Sequence, residues 1–442
     1  MEHLTLGVFR IGETYFVRAE SALGEAGPYE IDSMVIAESV IKEKNLLSNQ
    51  PNLARAQVLG RRLFGALFRG DIEKLYQQTL AVAHSQKSAL NILFKFKQSP
   101  ELHEVAWELL HDGEKFLATD PAIPIARYIE QMQPIKDLPV KPPLRMLFTT
   151  AVPNDYEPLD LAREERNIRR ALVDLDDKIE LVVERNISLD KLRHTLTRAG
   201  HIEQPFHIWH HCGHGAQPQD NKFFVLVLRD RDGSSQPVET EQLRTLLRPF
   251  STLRVATLNV CRGASRYGLA PSLAALNVPA VVGFRGDVFD DTALTFAKAF
   301  YESLLHTSVT VAMSHARVAL AVEHRNSIEW AMPLLFLRTN NPFLLTKEIT
   351  DAKPTVKKTK SSIQIETKRM RAKRVVNVGK LNVGEPRPNA ESDTPIKIKT
   401  GEMEAEEISQ IGELNLADTE TAKQFDFIRQ LARSISGLAA DE

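Results

Sequence analysis

The sequence predicts an α/β protein built on a mainly parallel sheet flanked by helices. Between residues 144 and 338, strand-like segments alternate with segments of amphipathic helical spacing. The strand-like segments, such as 145–152 and 253–260, are apolar throughout, as expected of central strands that are covered on both faces. In such a sheet, binding and catalytic residues collect just beyond the carboxyl ends of the strands.

The composition along the chain predicts three regions. Four prolines between positions 131 and 143 indicate a domain boundary. The regions are an α+β N-terminal region over residues 1–138, the α/β region over 144–338 and a β-rich and helical extension over 341–442. In the first region, residues 4–19 predict a strand pair and residues 55–84 predict one or two amphipathic helices.

The C-terminal extension differs in character from the rest of the chain. Residues 357–374 are rich in Lys and Arg, and 376–384 and 396–399 predict exposed strands with glycine turns. Residues 419–438 predict an amphipathic helix. These features predict a regulatory or docking segment that binds an activator or sensor protein. A solvated charged linker with a self-packing helix is an equally good interpretation.

The composition also limits the class of protein. The formal net charge of -1 gives no overall attraction to nucleic acid or to an anionic membrane. Two cysteines cannot make a disulfide framework, which favours a reducing compartment. The N-terminus has no signal-peptide pattern, and the apolar runs are too short to span a bilayer. We therefore expect a cytoplasmic protein without membrane insertion.

Two chemically active residues stand at the ends of predicted strands. His214 lies between Gly213 and Gly215, which we expect to turn the chain sharply and expose the imidazole. Cys261 follows the next predicted strand, 47 residues later, close to the separation of about 50 residues in caspases. Because both residues lie at the carboxyl ends of consecutive strands, we expect them to meet at one edge of the sheet.

A histidine and a cysteine so placed predict nucleophilic catalysis. A thiol with an ordinary pKa is mostly protonated at neutral pH, and a neighbouring imidazole generates the thiolate by taking its proton. The backbone N–H groups of Gly215 and Cys261 are candidate oxyanion donors. His214 then returns the proton to the leaving amine. This chemistry needs no cofactor.

Three alternatives stay open at this point. Cys261 could be a small buried apolar residue. Cys212 could be the nucleophile, although it is only two residues from His214. Zinc could be bound by the cluster of His207, His210, His211, Cys212 and His214. Neighbouring strand residues point to opposite faces, however, and no second cluster has ligand spacing, which disfavours a metal site.

Several segments resemble one known family. Residues 210–215 resemble the His-x-x-Gly-His-Gly signature of CHAT domains, caspase-like peptidases related to separase, and 258–263 resemble the family's strand leading into Cys-x-Gly. Residues 277–283 are similar to its "GvPavvG" strand, and 106–110 to its "PWELL" segment, with Ala106 in place of the usual proline. The resemblance covers about residues 1–338. It implies a caspase-like fold with an N-terminal CHAT subdomain, and a cysteine endopeptidase that uses His214 and Cys261.

The resemblance also bears on specificity. Asp287 matches the aspartate of separase-like "WDV" segments, which is associated with an arginine at the cleavage point, while Gly286 replaces the usual tryptophan. A carboxylate at the base of a pocket favours Lys or Arg, so we expect Asp287 to bind substrate. Two alternatives remain: Asp287 caps a helix or turn, or Arg262, Arg266 and Arg285 line the pocket and favour acidic residues.

Members of this family often serve bacterial defence and cut a partner protein, such as a gasdermin, after a sensor is triggered. The resemblance therefore implies a protein substrate, for example a gasdermin-like one, and control by an activator. The competing function is a catalytically silent interaction module. Nucleic-acid binding through residues 357–374 is disfavoured, because that stretch has no aromatic residues for stacking.

Overall fold

The computed structural model forms two compact units, Met1–Ile349 and Thr350–Glu442. The residues that it describes are 1–48, 53–97, 99–130, 140, 143–175, 177–216, 224–260, 271, 274, 278–285, 290–345, 364–376, 381–383, 396–409 and 414–416. No helix among these residues is long and apolar enough to cross a bilayer.

The described elements of the first unit begin with three strands and three helices, and strands and helices alternate mainly between residues 144 and 260. The strands are β1 (Glu2–Ile11), β2 (Thr14–Ser21), β3 (Gly24–Ile31), β4 (Leu90–Lys97), β5 (Ile125–Tyr128), β6 (Leu144–Ala151), β7 (Ile179–Glu184), β8 (Ile208–Ala216), β9 (Val225–Arg229), β10 (Ser235–Val238), β11 (Val255–Val260), β12 (Ala280–Phe284) and β13 (Pro333–Leu337). The α-helices are α1 (Ser33–Ser48), α2 (Leu53–Leu67), α3 (Asp71–Ser85), α4 (Leu161–Ala171), α5 (Leu189–His201), α6 (Thr240–Leu247), α7 (Asp290–Leu304) and α8 (Val309–Glu323). Short 3₁₀ helices are Pro100–Glu104, Trp107–Leu109, Leu117–Thr119, Val173–Leu175 and Glu329–Ala331.

One mixed sheet contains the thirteen described strands of this unit. Its order is β10-β9-β8-β11-β12-β13-β5-β4-β1-β2-β3, with β6 paired to β8 and β7 paired to β6. The strands β7, β6, β8, β11 and β12 run parallel, and β13 joins β12 antiparallel and β5 parallel. The predicted α/β class with a mainly parallel sheet is confirmed. The sheet continues from residues 1–138 into 144–338, and the subdomain boundary between them stays a prediction.

Alternate residues of the central strands face two separate cores. Met146 and Phe148 of β6 belong to a core that includes Phe300 of α7, with α4 and α8 on the same side. Leu147 faces the opposite core, which includes Leu192 of α5 and also α6. Burial of each such side chain contributes about 1.5–3 kcal/mol. The apolar runs in the sequence thus reflect strands that are covered on both faces.

Local signals in the sequence account for several element boundaries. The predicted strand pair turns at Gly12, whose φ of 59° suits glycine. The helices predicted over 55–84 are α2 and α3, and Ser188 caps α5 by accepting from the Lys191 N–H. The β9–β10 hairpin was not predicted.

The second unit contains a parallel sheet. Its described strands are β14 (Gln364–Val376), β15 (Leu381–Val383), β16 (Ile396–Ser409) and β17 (Leu414–Leu416), in the order β14-β16-β15-β17. The strands predicted within 376–384 and 396–399 are confirmed as β15 and β16. Strand β14 includes residues 364–374 of the basic stretch. The helix predicted over 419–438 lies outside the described residues.

Candidate active site

His214 lies on β8, one residue beyond the end of the parallel pairing of this strand. Up to Gly213, β8 pairs with β6 through Ala151↔Gly213 and with β11 through Val260↔Gly213. From His214 onward it pairs antiparallel with β9, beginning at His214↔Val227. This exchange of partner places His214 at the carboxyl edge of the central parallel strands, where catalytic residues are expected.

The two glycines beside this histidine make room for neighbouring atoms and do not turn the chain. Strand β8 continues to Ala216, so the predicted sharp turn is wrong. A Cβ atom at Gly213 would lie 2.8 Å from the Ala151 carbonyl oxygen, and one at Gly215 would overlap the ring of Phe224. Close approach of backbone and ring is therefore the reason for glycine at both positions.

The imidazole of His214 is held by the loop that connects β6 to α4. Its Nε2 atom lies 2.8 Å from the carbonyl oxygen of Glu157, and the ring of Tyr156 packs against it with 5.0 Å between centroids. A carbonyl oxygen only accepts, so Nε2 carries the proton of the neutral ring and Nδ1 keeps its lone pair. The sequence interpretation missed Tyr156 and Glu157, although their loop follows a predicted strand at the same edge.

His210 and His211 lie on opposite faces of β8 and belong to separate hydrogen-bond networks. Nδ1 of His210 is 2.7 Å from the hydroxyl of Tyr301, which donates to Oγ1 of Thr257 at 3.0 Å. Nδ1 of His211 is 2.8 Å from Oγ1 of Thr149. Burial lowers the pKa of both histidines to about 3. Both rings are therefore neutral at pH 7 and serve the packing of the sheet.

This divergence bears on the zinc alternative. His210 and His211 cannot both ligate one ion, because their rings occupy different cores. The Nδ1 atom of His207 accepts from the backbone N–H of Arg145 at 3.0 Å. Within the described part of the chain, no group of three or more His, Cys, Asp or Glu residues is arranged to hold a metal ion.

Cys212 is buried and has a carboxylate beside it. Its thiol donates to Oε2 of Glu164 at 3.8 Å, and the Asn259 amide donates to the same oxygen at 3.3 Å. Burial, and then the Glu164 carboxylate, raise the pKa of the Cys212 thiol. A covered thiol that is held protonated is a poor nucleophile. The alternative in which Cys212 attacks the substrate is therefore disfavoured.

The described residues include only part of the predicted site. His214 and Gly215 lie on β8 as given above. The other candidates fall outside the described residues: Cys261, Arg262, Arg266, Gly286 and Asp287. The last described residue before Cys261 is Val260 of β11, and the last one before Gly286 is Arg285, just after β12. Both lie at the sheet edge that holds His214.

The sequence over residues 58–338 matches the family model of the CHAT domain. This match covers more than half of the chain. The chain belongs to the CHAT domain family. The matched span includes the loop before α4, strand β8 and Cys261, and it excludes the second unit. No curated protein matches the chain.

Solved structures similar to this CHAT protein include three from different organisms. A Saccharomyces cerevisiae separase, solved in complex with securin, is 14% identical with a TM-score of 0.34, and the match covers 72% of this chain and 20% of separase. A secreted C11 cysteine protease from Bacteroides thetaiotaomicron, solved in complex with an irreversible peptide inhibitor, is 10% identical with a TM-score of 0.31. The match covers 41% of this chain and 59% of that protease chain. Caspase-1 from Spodoptera frugiperda is 8% identical with a TM-score of 0.32, and the match covers 50% of this chain and 97% of the caspase chain. The chain thus spans about a fifth of the length of the separase chain that it matches.

Arg285 of this CHAT domain faces the N-terminal part of the first unit. Its guanidinium donates to the carbonyl oxygens of Glu104 and Val105 at 2.9 and 3.2 Å, and to Oε2 of Glu108 at 3.0 Å. The side chain is 9% exposed. Arg285 therefore does not present its charge to a substrate, which removes one of the three arginines considered for an acidic preference.

Glu108, from the segment that resembles "PWELL", is the centre of a buried ionic cluster. Its carboxylate lies 2.7 Å from Arg127 of β5 and 3.9 Å from Arg317 of α8, in addition to Arg285. Burial raises the pKa of Glu108, but the three guanidinium groups outweigh burial and lower the pKa below its ordinary value. The carboxylate is therefore ionised and links three separate elements of the unit.

Proposed function

We propose that this CHAT protein is a cysteine endopeptidase in which His214 activates the thiol of Cys261. One observation carries the proposal. Gly213 and Val260 stand opposite each other as the last parallel pair of β8 and β11, and the chain continues from them into His214 and Cys261. Consecutive Cα atoms are about 3.8 Å apart, so His214 and Cys261 each follow, by one residue, a member of the same strand pair at the sheet edge.

The hydrogen bond of His214 supports the role of a base. Because Nε2–H donates to the carbonyl oxygen of Glu157, the lone pair on Nδ1 is the basic site of the ring. The same bond and the Tyr156 ring fix the orientation of the imidazole. A base oriented by a third group is the arrangement that activates a thiol nucleophile.

The proposed reaction proceeds through an acyl-enzyme. His214 takes the thiol proton of Cys261, and the thiolate attacks the carbonyl carbon of the scissile peptide bond to form a tetrahedral oxyanion. The imidazolium then gives its proton to the leaving amine as the C–N bond breaks, which leaves a thioester. Water, deprotonated by His214, hydrolyses the thioester and restores the thiol.

The oxyanion requires backbone donors, and we assign this role to the N–H groups of Gly215 and Cys261. Gly215 stands opposite Leu226 in the antiparallel pairing of β8 and β9. Only alternate residues of such a pair exchange both of their hydrogen bonds. The assignment therefore requires the N–H of Gly215 to face away from β9.

The substrate is proposed to be a protein that is cut after a basic residue. Asp287 is the proposed specificity residue, and the burial of Arg285 against Glu108 supports it, because this nearby cation is already neutralised. Cleavage of a gasdermin-like partner, control by an activator bound to the extension and a role in bacterial defence belong to the same proposal.

Covalent labelling tests the dyad directly, because the chain has only two cysteines. The probe is a peptide electrophile with arginine next to the reactive group, and mass spectrometry locates the adduct. We expect labelling at Cys261 in the wild type and in the matched control Cys212→Ala. We expect no labelling in Cys261→Ala, and a rate lower by about 10²–10⁴ in His214→Ala.

Two results would count against the proposal. Cleavage of a peptide library by Cys261→Ala would exclude Cys261 as the nucleophile. Absence of labelling in a folded wild-type chain, with or without a partner, would favour the silent interaction module. The library also tests specificity, since Asp287→Ala is expected to lose a preference for Lys or Arg while it keeps the labelling of Cys261 by a small, neutral electrophile.

A further inference from the structure

The second unit contains two copies of one sequence pattern, 33 residues apart. We name residues 363–385 the basic repeat and residues 396–418 the acidic repeat. Identical residues at this displacement are Ile363 and Ile396, Ile365 and Ile398, Thr367 and Thr400, Met370 and Met403, Ala372 and Ala405, Gly379 and Gly412, Leu381 and Leu414, and Asn382 and Asn415. Each repeat therefore supplies one long strand, β14 or β16, and one short strand, β15 or β17.

The pairing of the strands follows the same displacement. Strand β14 runs parallel to β16 with Gln364↔Lys397 near one end and Val376↔Ser409 at the other. Strand β15 runs parallel to β17 with Leu381↔Leu414. Each of these pairs joins residues 33 positions apart, so a residue of the basic repeat lies beside its counterpart in the acidic repeat.

The repeats have opposite charges at equivalent positions. The register places Arg369 opposite Glu402, Arg371 opposite Glu404 and Arg374 opposite Glu407. Strand β14 has five basic residues and one acidic residue, whereas β16 has four acidic residues and two basic residues. Opposite charges on neighbouring strands stabilise a sheet by about 0.2–1 kcal/mol per pair, and like charges destabilise it. The basic repeat therefore selects an acidic repeat and rejects another copy of itself.

Both long strands have one side that no described strand occupies. Strand β14 is at the edge of the sheet order given above, with β16 as its partner among the described strands. Strand β15 pairs with β16 only from Ile396 to Ile398, so between residues 399 and 409 the described partner of β16 is β14 alone. Open strand edges accept further strands through the same backbone hydrogen bonds.

We propose that the second unit joins copies of this chain, with the basic repeat of one copy paired to the acidic repeat of the next. The pairing between copies uses the register that the two repeats already show within one copy, which sets basic positions opposite acidic ones. Such an interface is heterologous, so each copy keeps a free repeat for a further copy, and the assembly is a ring if the rotation closes or an open filament if it does not. It would raise the effective concentration of the first units. The proposal does not depend on peptidase activity.

Sedimentation velocity of the full chain tests the proposal, with charge reversal of either repeat. We expect wild-type species at multiples of 49.7 kDa that increase with protein concentration and decrease at high salt. The variant Arg369→Glu/Arg371→Glu/Arg374→Glu has two acidic repeats and is expected to be monomeric. The variant Glu402→Arg/Glu404→Arg/Glu407→Arg has two basic repeats and is also expected to be monomeric.

Mixing gives the decisive measurement, because an equimolar mixture of the two variants again contains both charge types. We expect the mixture to assemble, and we expect the chain with all six substitutions to assemble like the wild type. The control Arg166→Glu/Arg170→Glu/Arg198→Glu replaces three exposed arginines of the first unit. Its net charge changes as in the Arg369→Glu/Arg371→Glu/Arg374→Glu variant, and it should assemble. A wild type that is monomeric at every concentration, a monomeric mixture or a monomeric control would each overturn the proposal.

Discussion

Arg285 and Glu108, 177 residues apart in the sequence, form a buried ion pair with 3.0 Å between Nη2 and Oε2. Arg285 is the first residue after β12, whose carboxyl end lies at the same sheet edge as His214. The segment that contains Glu108 therefore fixes the point from which the chain continues toward Asp287. The N-terminal part of the CHAT domain thus supports the candidate site.

The stability of the first unit is expected to depend on Glu108. In Glu108→Gln the three buried arginines lose their counter-charge, and we expect the free energy of unfolding to fall by about 3–5 kcal/mol. Urea denaturation measures this loss. The matched control is Arg163→Met, which removes an exposed pair with Asp291 and should cost at most about 1 kcal/mol. Equal stability of Glu108→Gln and wild type would disprove the counter-charge role.

Arg285 and Arg317 share the carboxylate of Glu108 but should differ in their effect on the site. Arg285→Met releases the chain that follows β12, and we expect slower labelling of Cys261 and altered cleavage preference. Arg317→Met, on α8, removes a buried arginine of the same cluster and should change stability without changing the labelling rate of the folded protein. Equal labelling rates in the two variants would show that the cluster is only structural.

The close packing at Gly213 predicts a localised defect. In Gly213→Ala the new methyl group meets the backbone carbonyl of Ala151, which cannot move without distorting β6. We expect a loss of about 1–3 kcal/mol and slower labelling at Cys261, because the next residue is His214. Gly65→Ala in α2 is the control: its methyl group meets no atom within 4 Å, and the change should stabilise the helix by about 1 kcal/mol.

The Tyr156 ring is expected to orient the imidazole through packing alone. Tyr156→Phe keeps the ring that lies 5.0 Å from His214 and should retain most of the peptidase activity. Tyr156→Ala removes the ring, so kcat is expected to fall about 10-fold with a smaller change in KM, as expected for a misplaced catalytic group. Steady-state kinetics on a cleaved peptide provide the comparison. Similar activity in the alanine variant would argue against this role.

The buried histidines make stability sensitive to mild acid. His210 and His211 have a folded-state pKa of about 3 and an unfolded-state value near 6.5, so between these values the unfolded state binds more protons. Their contribution is complete well above pH 6.5 and is lost as the pH falls, by about 1 kcal/mol per histidine between pH 6.5 and 5.5. In His211→Asn the fall over this interval should be about 1 kcal/mol smaller in urea denaturation. An unchanged fall would contradict the burial of a neutral ring.

The sequence predicted the parts of the fold that depend on local pattern. Apolar runs identified β6 and β11, and amphipathic spacing identified α2 and α3. The strands of His214 and Cys261 were expected to be consecutive, but β9 and β10 intervene along the chain; they are neighbours in the sheet nevertheless. The Asp232-Gly233 dipeptide between β9 and β10 is a hairpin signal in the sequence.

The remaining features depend on distant residues, which local pattern does not report. Glu108 belongs to a short segment whose local sequence does not show its partners, since Arg127, Arg285 and Arg317 come from three other parts of the unit. The role of Gly215 as space for the Phe224 ring also depends on a contact between residues that are not neighbours in the sequence. In the second unit, one repeat is basic and the other is acidic, so their compositions differ and do not reveal the repeat. The identical residues at equivalent positions do reveal it.

The position of β13 has a consequence for synthesis on the ribosome. Strand β5 lies between β4 and β13, yet Pro333, the first residue of β13, is translated about 200 residues after β5, or about 10–40 s later. During that interval the nascent chain carries an uncovered strand edge, which invites association with other chains. Recombinant fragments that end before Pro333 retain this edge permanently, so they are expected to aggregate or to depend on chaperones.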